Sequence, residues 1–137
     1  MRISNYIFKT FDTVIYPRQI FIVAGGTRSD IAHLFDDRDN DPLWIDSEFL
    51  VGAECVTQAV KRSDLIGVLV WFPDIDNFKS RNITHESVHA ANVIFHDLGI
   101  EVDTANDEAQ AYLAGFVSDC IDQIIQEVIK SKIGKRK

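Results

Sequence analysis

The sequence predicts an α+β fold, in which a mostly antiparallel sheet packs against helices. Three observations point there. Short runs rich in β-branched and aromatic residues fill the first half of the chain. Two long segments with apolar residues three and four apart fill the second half. No repeat, low-complexity stretch or linker divides the 137 residues, so residues 1–137 make one domain. Strands first and helices afterwards is the order of a layered α+β domain.

Residues 3–11 mix apolar and polar side chains and read as a first, irregular strand. Tyr16-Pro17 marks a turn, and residues 19–24 (QIFIVA) form a dense strand that Gly25-Gly26 ends. Ser29 or Asp30 can cap a short helix over 30–35. Residues 36–47 are acidic, contain Asn40, Asp41 and Pro42, and read as a loop. Residues 53–61 and 67–72 read as two strands of a hairpin joined by 62–65. The second, GVLVWF, is apolar throughout, which suits a strand covered on both faces, and Pro73 stops it.

A polar loop to about residue 81 leads into the first long helix. Its apolar stripe is Ile83, Val88, Ala91, Val93, Ile94 and Leu98, and Gly99 stops it. Asn106 or Asp107 can cap the second, which runs to about Val128. Its stripe runs from Ala109 through Tyr112, Leu113, Phe116 and Val117 to Cys120, Ile121, Ile124 and Ile125.

Composition narrows the function classes. The net charge is −7, yet residues 130–137 carry five cations, leaving −12 on the first 129. An acidic body disfavours broad nucleic-acid binding, and the basic tail reads as a frayed, solvated helix end. No stretch is long enough for a membrane span and no signal peptide opens the chain, which predicts a soluble, cytoplasmic protein. Cys55 and Cys120 match no metal-ligand spacing and read as buried free thiols of a reducing compartment. Trp44 and Trp71 read as structural.

The chemistry is concentrated in His85-Glu86-Ser87-Val88-His89, an H-E-x-x-H string on a segment already read as helical. Residues four apart on a helix lie one turn apart and about 40° apart in azimuth, so two imidazoles can converge on one ion. Glu86, about 100° round from His85, can reach a water on that ion without ligating it. Catalytic zinc takes three protein ligands and keeps one open position. His96 is seven residues beyond His89, a rise of about 10 Å, too far for one ion on a straight helix. Glu108, nineteen residues after His89 at the start of the next helix, is the first candidate for the third ligand. Asp107 and then Asp103 are its rivals, and an acid at a helix N-terminus is also favourable for purely electrostatic reasons.

This pattern resembles the gluzincin zinc peptidases: His85-Glu86-x-x-His89, then a helical Glu within Glu108-Ala109-x-Ala111. His85 to Ala90 together with Asp107-Glu108-Ala109-x-Ala111-Tyr112-Leu113-x-Gly115 is similar to small metallopeptidase-like proteins of phages and prophages. The match covers about residues 81–120, and Tyr16-Pro17-Arg18 before a strand fits it too. The resemblance implies a small zincin-like domain binding one Zn2+ through His85, His89 and Glu108. Glu86 would be the general base of peptide hydrolysis in the cytoplasm of a bacterial host. Four residues after the acidic ligand, gluzincins often carry an Asp that orients a histidine; here stands Tyr112, which reads as core packing or, less simply, as a phenol assisting catalysis. The substrate would be a peptide or protein, extended along a strand of the 53–72 hairpin, with GVLVWF the first to consider. The other reading is a non-catalytic metal-binding protein, such as a viral factor that engages a host protein. Glu86 favours the enzyme, because a purely structural site has no need of a base beside its ligands.

Overall fold

In the computed structural model, residues 6–38 and 55–135 are described, with side chains to residue 131. The two densest apolar runs lie side by side at the middle of a five-stranded sheet. β1 (Tyr6–Asp12) pairs antiparallel with β2 (Gln19–Gly25), and β2 pairs parallel with β5 (Leu65–Phe72). β5 pairs antiparallel with β4 (Val56–Arg62), which carries the two-residue β3 (Asp36–Asp37) on its far edge. The sheet order is β1-β2-β5-β4-β3, mixed rather than uniformly antiparallel because its central pair is parallel.

Both central strands are buried on both faces, which is why their sequences do not alternate. Ile20, Ile22, Val68, Val70 and Phe72 face two helices, α2 (Ser80–Asp97) and α3 (Glu108–Lys135). Phe21, Val23, Leu69 and Trp71 face the other way, toward Ile31 of α1 (Arg28–Leu34) and Phe35. Gly67 is required where β5 meets β2, since a Cβ there would overlap the Gln19 carbonyl oxygen. The β4–β5 hairpin turns on Ser63-Asp64, with Ser63 left-handed at φ 57°.

Several boundaries differ from expectation for local reasons. Thr27, not Ser29 or Asp30, caps α1, in a capping box with Asp30. β3 begins the stretch read as a loop; residues 39–47 of that stretch, Trp44 among them, lie outside the described residues, as do 53–54 of the expected strand. Gly99 ends α2 as expected: it takes φ 70°, and the Ile100 N–H reaches back to the Phe95 carbonyl at 2.8 Å. α3 continues past Val128 to Lys135. The expected stripes are corrected at Val88, Tyr112 and Phe116, which are exposed, and at Phe95, which was outside the stripe and is buried, because α2 turns Glu86, Ala90, Ala91, Ile94 and Phe95 inward. Tyr112 is 76% exposed, so its place is not core packing.

α2 lies over β4 and β5, and α3 over β2 and β1. The helices run antiparallel. Asp97, at the end of α2, bonds Arg18 just before β2, and the first turns of α3 line a cavity with Thr13, Ile15 and Tyr16 from the same β1–β2 turn. Farther along, Glu127 of α3 pairs with Lys9 in mid-β1. No helix among the described residues is long and apolar enough to cross a membrane.

Candidate metal centre

α2 starts without a side-chain cap of its own. It is anchored instead from the preceding 3₁₀ turn, Ile75–Asn77, whose Asn77 carbonyl accepts from Asn82 Nδ2 at 2.9 Å. One turn later the helix presents His85, Glu86 and His89 beside the N-terminal end of β4, at Val56 and Thr57.

The helical spacing has the expected result. The Nε2 atoms of His85 and His89 converge to 3.0 Å, their rings edge to face with centroids 4.5 Å apart. At that distance one neutral imidazole can donate to the other. Two lone pairs can equally meet on a shared ion: tetrahedral zinc with Zn–N near 2.0–2.1 Å sets its nitrogens about 3.3 Å apart. Both histidines are exposed, so a ligand reaches them from solvent.

Glu86 is the opposite. Its side chain is 7% exposed although it is an acid on a helix one residue from an open histidine. Burying a carboxylate is costly unless partners compensate. Thr57 of β4 supplies one, its hydroxyl donating to Glu86 Oε1 at 2.7 Å. The other oxygen, Oε2, stands 3.7 Å from His85 Nε2. The carboxylate is therefore held by one oxygen and directed toward the imidazoles by the other. Thr57 is a residue that sequence reasoning missed; its only signal was a hydroxyl on the strand face that an α+β packing turns toward α2.

A cleft of about 280 Å³ opens over this group, lined by Cys55, Thr57, His85, Glu86, His89 and Val93. A neighbouring cleft of about 300 Å³ continues it past Cys55 to Arg81 and Asn82. Cys55 forms no disulfide and is half-buried, whereas Cys120 is buried between α3 and the sheet. Burial, and secondarily the negative charge of Asp119, pushes the Cys120 thiol up to about 12.

The remaining candidates lie elsewhere. Glu108 is exposed at the first residue of α3, and two residues on Gln110 Nε2 bonds Asn92 Oδ1 at 2.6 Å, beyond His89 toward the C-terminal end of α2. Side chains lean toward the N-terminus of their own helix. On antiparallel α2 and α3 that tendency sends side chains of the two helices toward opposite ends. Among the described residues no three His, Cys, Asp or Glu side chains are gathered, as they stand, into a group able to hold an ion. Asp107 and Asp103 are exposed, Asp103 accepting the Ala105 N–H. His96 is exposed one turn past Asn92. Tyr112 lines the apolar cavity beside the β1–β2 turn, at the other end of α2 from Glu86. GVLVWF lies in β5 at the interior of the sheet and cannot be an edge for a substrate, because both its sides are occupied by β2 and β4.

Against these features stand the comparisons with known proteins: no family model matches the chain, and neither does any curated protein or solved structure.

Proposed function

We propose that this chain is a zinc-dependent peptidase, with His85 and His89 as metal ligands and Glu86 as general base. One observation carries the reading: a buried carboxylate, held by Thr57 through one oxygen, directs the other at a pair of imidazoles whose Nε2 atoms already converge. Folding alone has no use for that arrangement, since an apolar residue at position 86 would bury at lower cost. When bound, zinc would supply Lewis acidity, lowering the pKa of water and polarising the scissile carbonyl.

The chain's own groups do the rest. His85 and His89 bring their nitrogens to the open side of the cleft. Glu86 takes the proton of the attacking water and passes it to the leaving amine, and Thr57 keeps the carboxylate from turning away between the two transfers. The edge beside this group is that of β4, which among the described residues pairs with β3 only at Val60 and Lys61. An extended peptide adding to that edge would run past Glu86, with main-chain hydrogen bonds supplying affinity.

A second reading is a metal-binding interaction protein without turnover, and the ungathered third ligand favours it. Elemental analysis of protein purified without chelator or metal-affinity tag tests both. The peptidase reading expects one zinc per chain in the wild type and in Glu86→Gln, and none in His89→Ala. It also expects hydrolysis of a peptide library by the wild type that Glu86→Gln lacks. Zinc without any cleavage selects the second reading. A wild type that takes up no zinc even when it is added back overturns both.

A further inference from the structure

We propose that the third protein donor at this centre is the Cys55 thiolate rather than the Glu108 carboxylate; the inference rests on the metal-binding reading above. The first ground is position. Cys55 and both histidines line one cleft, and Cys55, His85 and Glu86 also line the adjoining one, together with Arg81 and Asn82. Thr57 touches Glu86, and Cys55 lies two residues before it, a strand rise of about 6.7 Å toward the N-terminal end of α2. The same rise on α2 corresponds to about one turn, from Glu86 back to Asn82, where the second cleft places Cys55.

The second ground is direction. Imidazoles on α2 lean toward that helix's N-terminus, which is the end Cys55 occupies and the end Glu108 leans away from. The third is chemistry. Thiolate and imidazole are both regular zinc donors, and a set of one thiolate and two neutral imidazoles leaves the fourth position open and the Glu86 carboxylate outside the ligand shell. Completing the set turns the Cys55 side chain, half-buried just ahead of β4, into the cleft it already lines. Its thiol releases one proton to solvent as the metal–sulfur bond forms.

Cobalt(II) titration of the full chain reads the donor directly. The wild type should bind one equivalent and show the intense near-ultraviolet band of sulfur-to-cobalt charge transfer. Cys55→Ala should lose that band and at least about 100-fold in metal affinity, more than losing an outer partner costs, while Glu108→Ala and Cys120→Ser keep both. Alkylation gives a reading that needs no variant: one equivalent of zinc should shield Cys55 from iodoacetamide in the wild type. One equivalent of cobalt bound without the sulfur band, or a band that survives in Cys55→Ala, overturns the thiolate and leaves the peptidase reading standing. Equal alkylation of Cys55 with and without bound zinc does the same. A wild type that binds no cobalt and no zinc removes both.

Discussion

Helix α2 carries a polar cluster at each end, and the two are built on opposite terms. Near its C-terminus Asp97 accepts from Arg38 Nη1 at 2.7 Å and from Arg18 Nε at 3.2 Å, and Arg38 also donates to the Gly67 carbonyl. One acid thereby ties α2 to the residue before β2, to the end of β3 and to the start of β5. Charge meets charge, and of the Arg38 nitrogens Nε alone is buried without a hydrogen-bond partner. Six residues from its N-terminus Glu86 is more deeply buried than Asp97, yet among the described residues it meets no cation like Arg18 or Arg38, but the Thr57 hydroxyl and, at 3.7 Å, His85. The first cluster is explained by the fold it holds together. The second is left with acceptor and donor capacity facing a cleft, which is what a site for a cation and a water requires.

The comparison can be broken from either side. The largest effect is expected at Glu86. Glu86→Gln keeps shape and burial, so peptide hydrolysis should fall by roughly 10²–10⁴, the usual contribution of a general base, with zinc content unchanged. A variant that cleaves as fast as the wild type would remove Glu86 from the chemistry. At the other end, Asp97→Ala leaves two partly buried guanidinium groups without their acid. Urea unfolding should show a loss of about 3 kcal/mol, with the metal affinity untouched. A loss of metal instead would mean the two ends are not independent.

Smaller changes sharpen the contrast. Thr57→Val takes away the hydroxyl that holds Glu86 and should cost about 1–2 kcal/mol in unfolding free energy. Equal stability of Thr57→Val and wild type would show that Glu86 has another partner. The last effect, absent at neutral pH, comes from a group that belongs to neither cluster. Burial keeps the Cys120 thiol protonated up to about pH 12 in the fold, whereas the unfolded chain loses that proton near its ordinary value of 9.0. The folded state then binds more protons between those values, so stability should decline as pH rises above 9. Cys120→Ala should flatten that decline in urea midpoints measured from pH 8 to 11, and an unchanged slope would assign it to other groups.

The legible parts of the site were those that depend on one helix. His85, Glu86 and His89 share a turn, and 3.6 residues per turn alone bring their side chains together. Cys55 and Thr57 were not legible because they lie just ahead of β4 and on it, some thirty residues earlier in the chain, and meet α2 only when the sheet is assembled. Glu108 was singled out by its distance along the chain, but that distance does not set the register of two antiparallel helices. The register here follows from Asn92 meeting Gln110. Tyr112 and Val88 mislead for a related reason. Periodicity marks a helix face, while the neighbours that cover or expose each position on it come from elsewhere in the fold.

The sequence by itself determined the α+β class, the strand at residues 19–24, the covered strand GVLVWF, the Gly99 stop and the His-Glu-His turn, because each rests on local propensity or on the period of one element. Only the tertiary structure decided that the central pair is parallel, that Glu86 is buried against Thr57 and that Cys55, not Glu108, shares the imidazoles' cleft. Those are facts of register and crossover between elements, set by how whole faces pack, which no single element's pattern encodes.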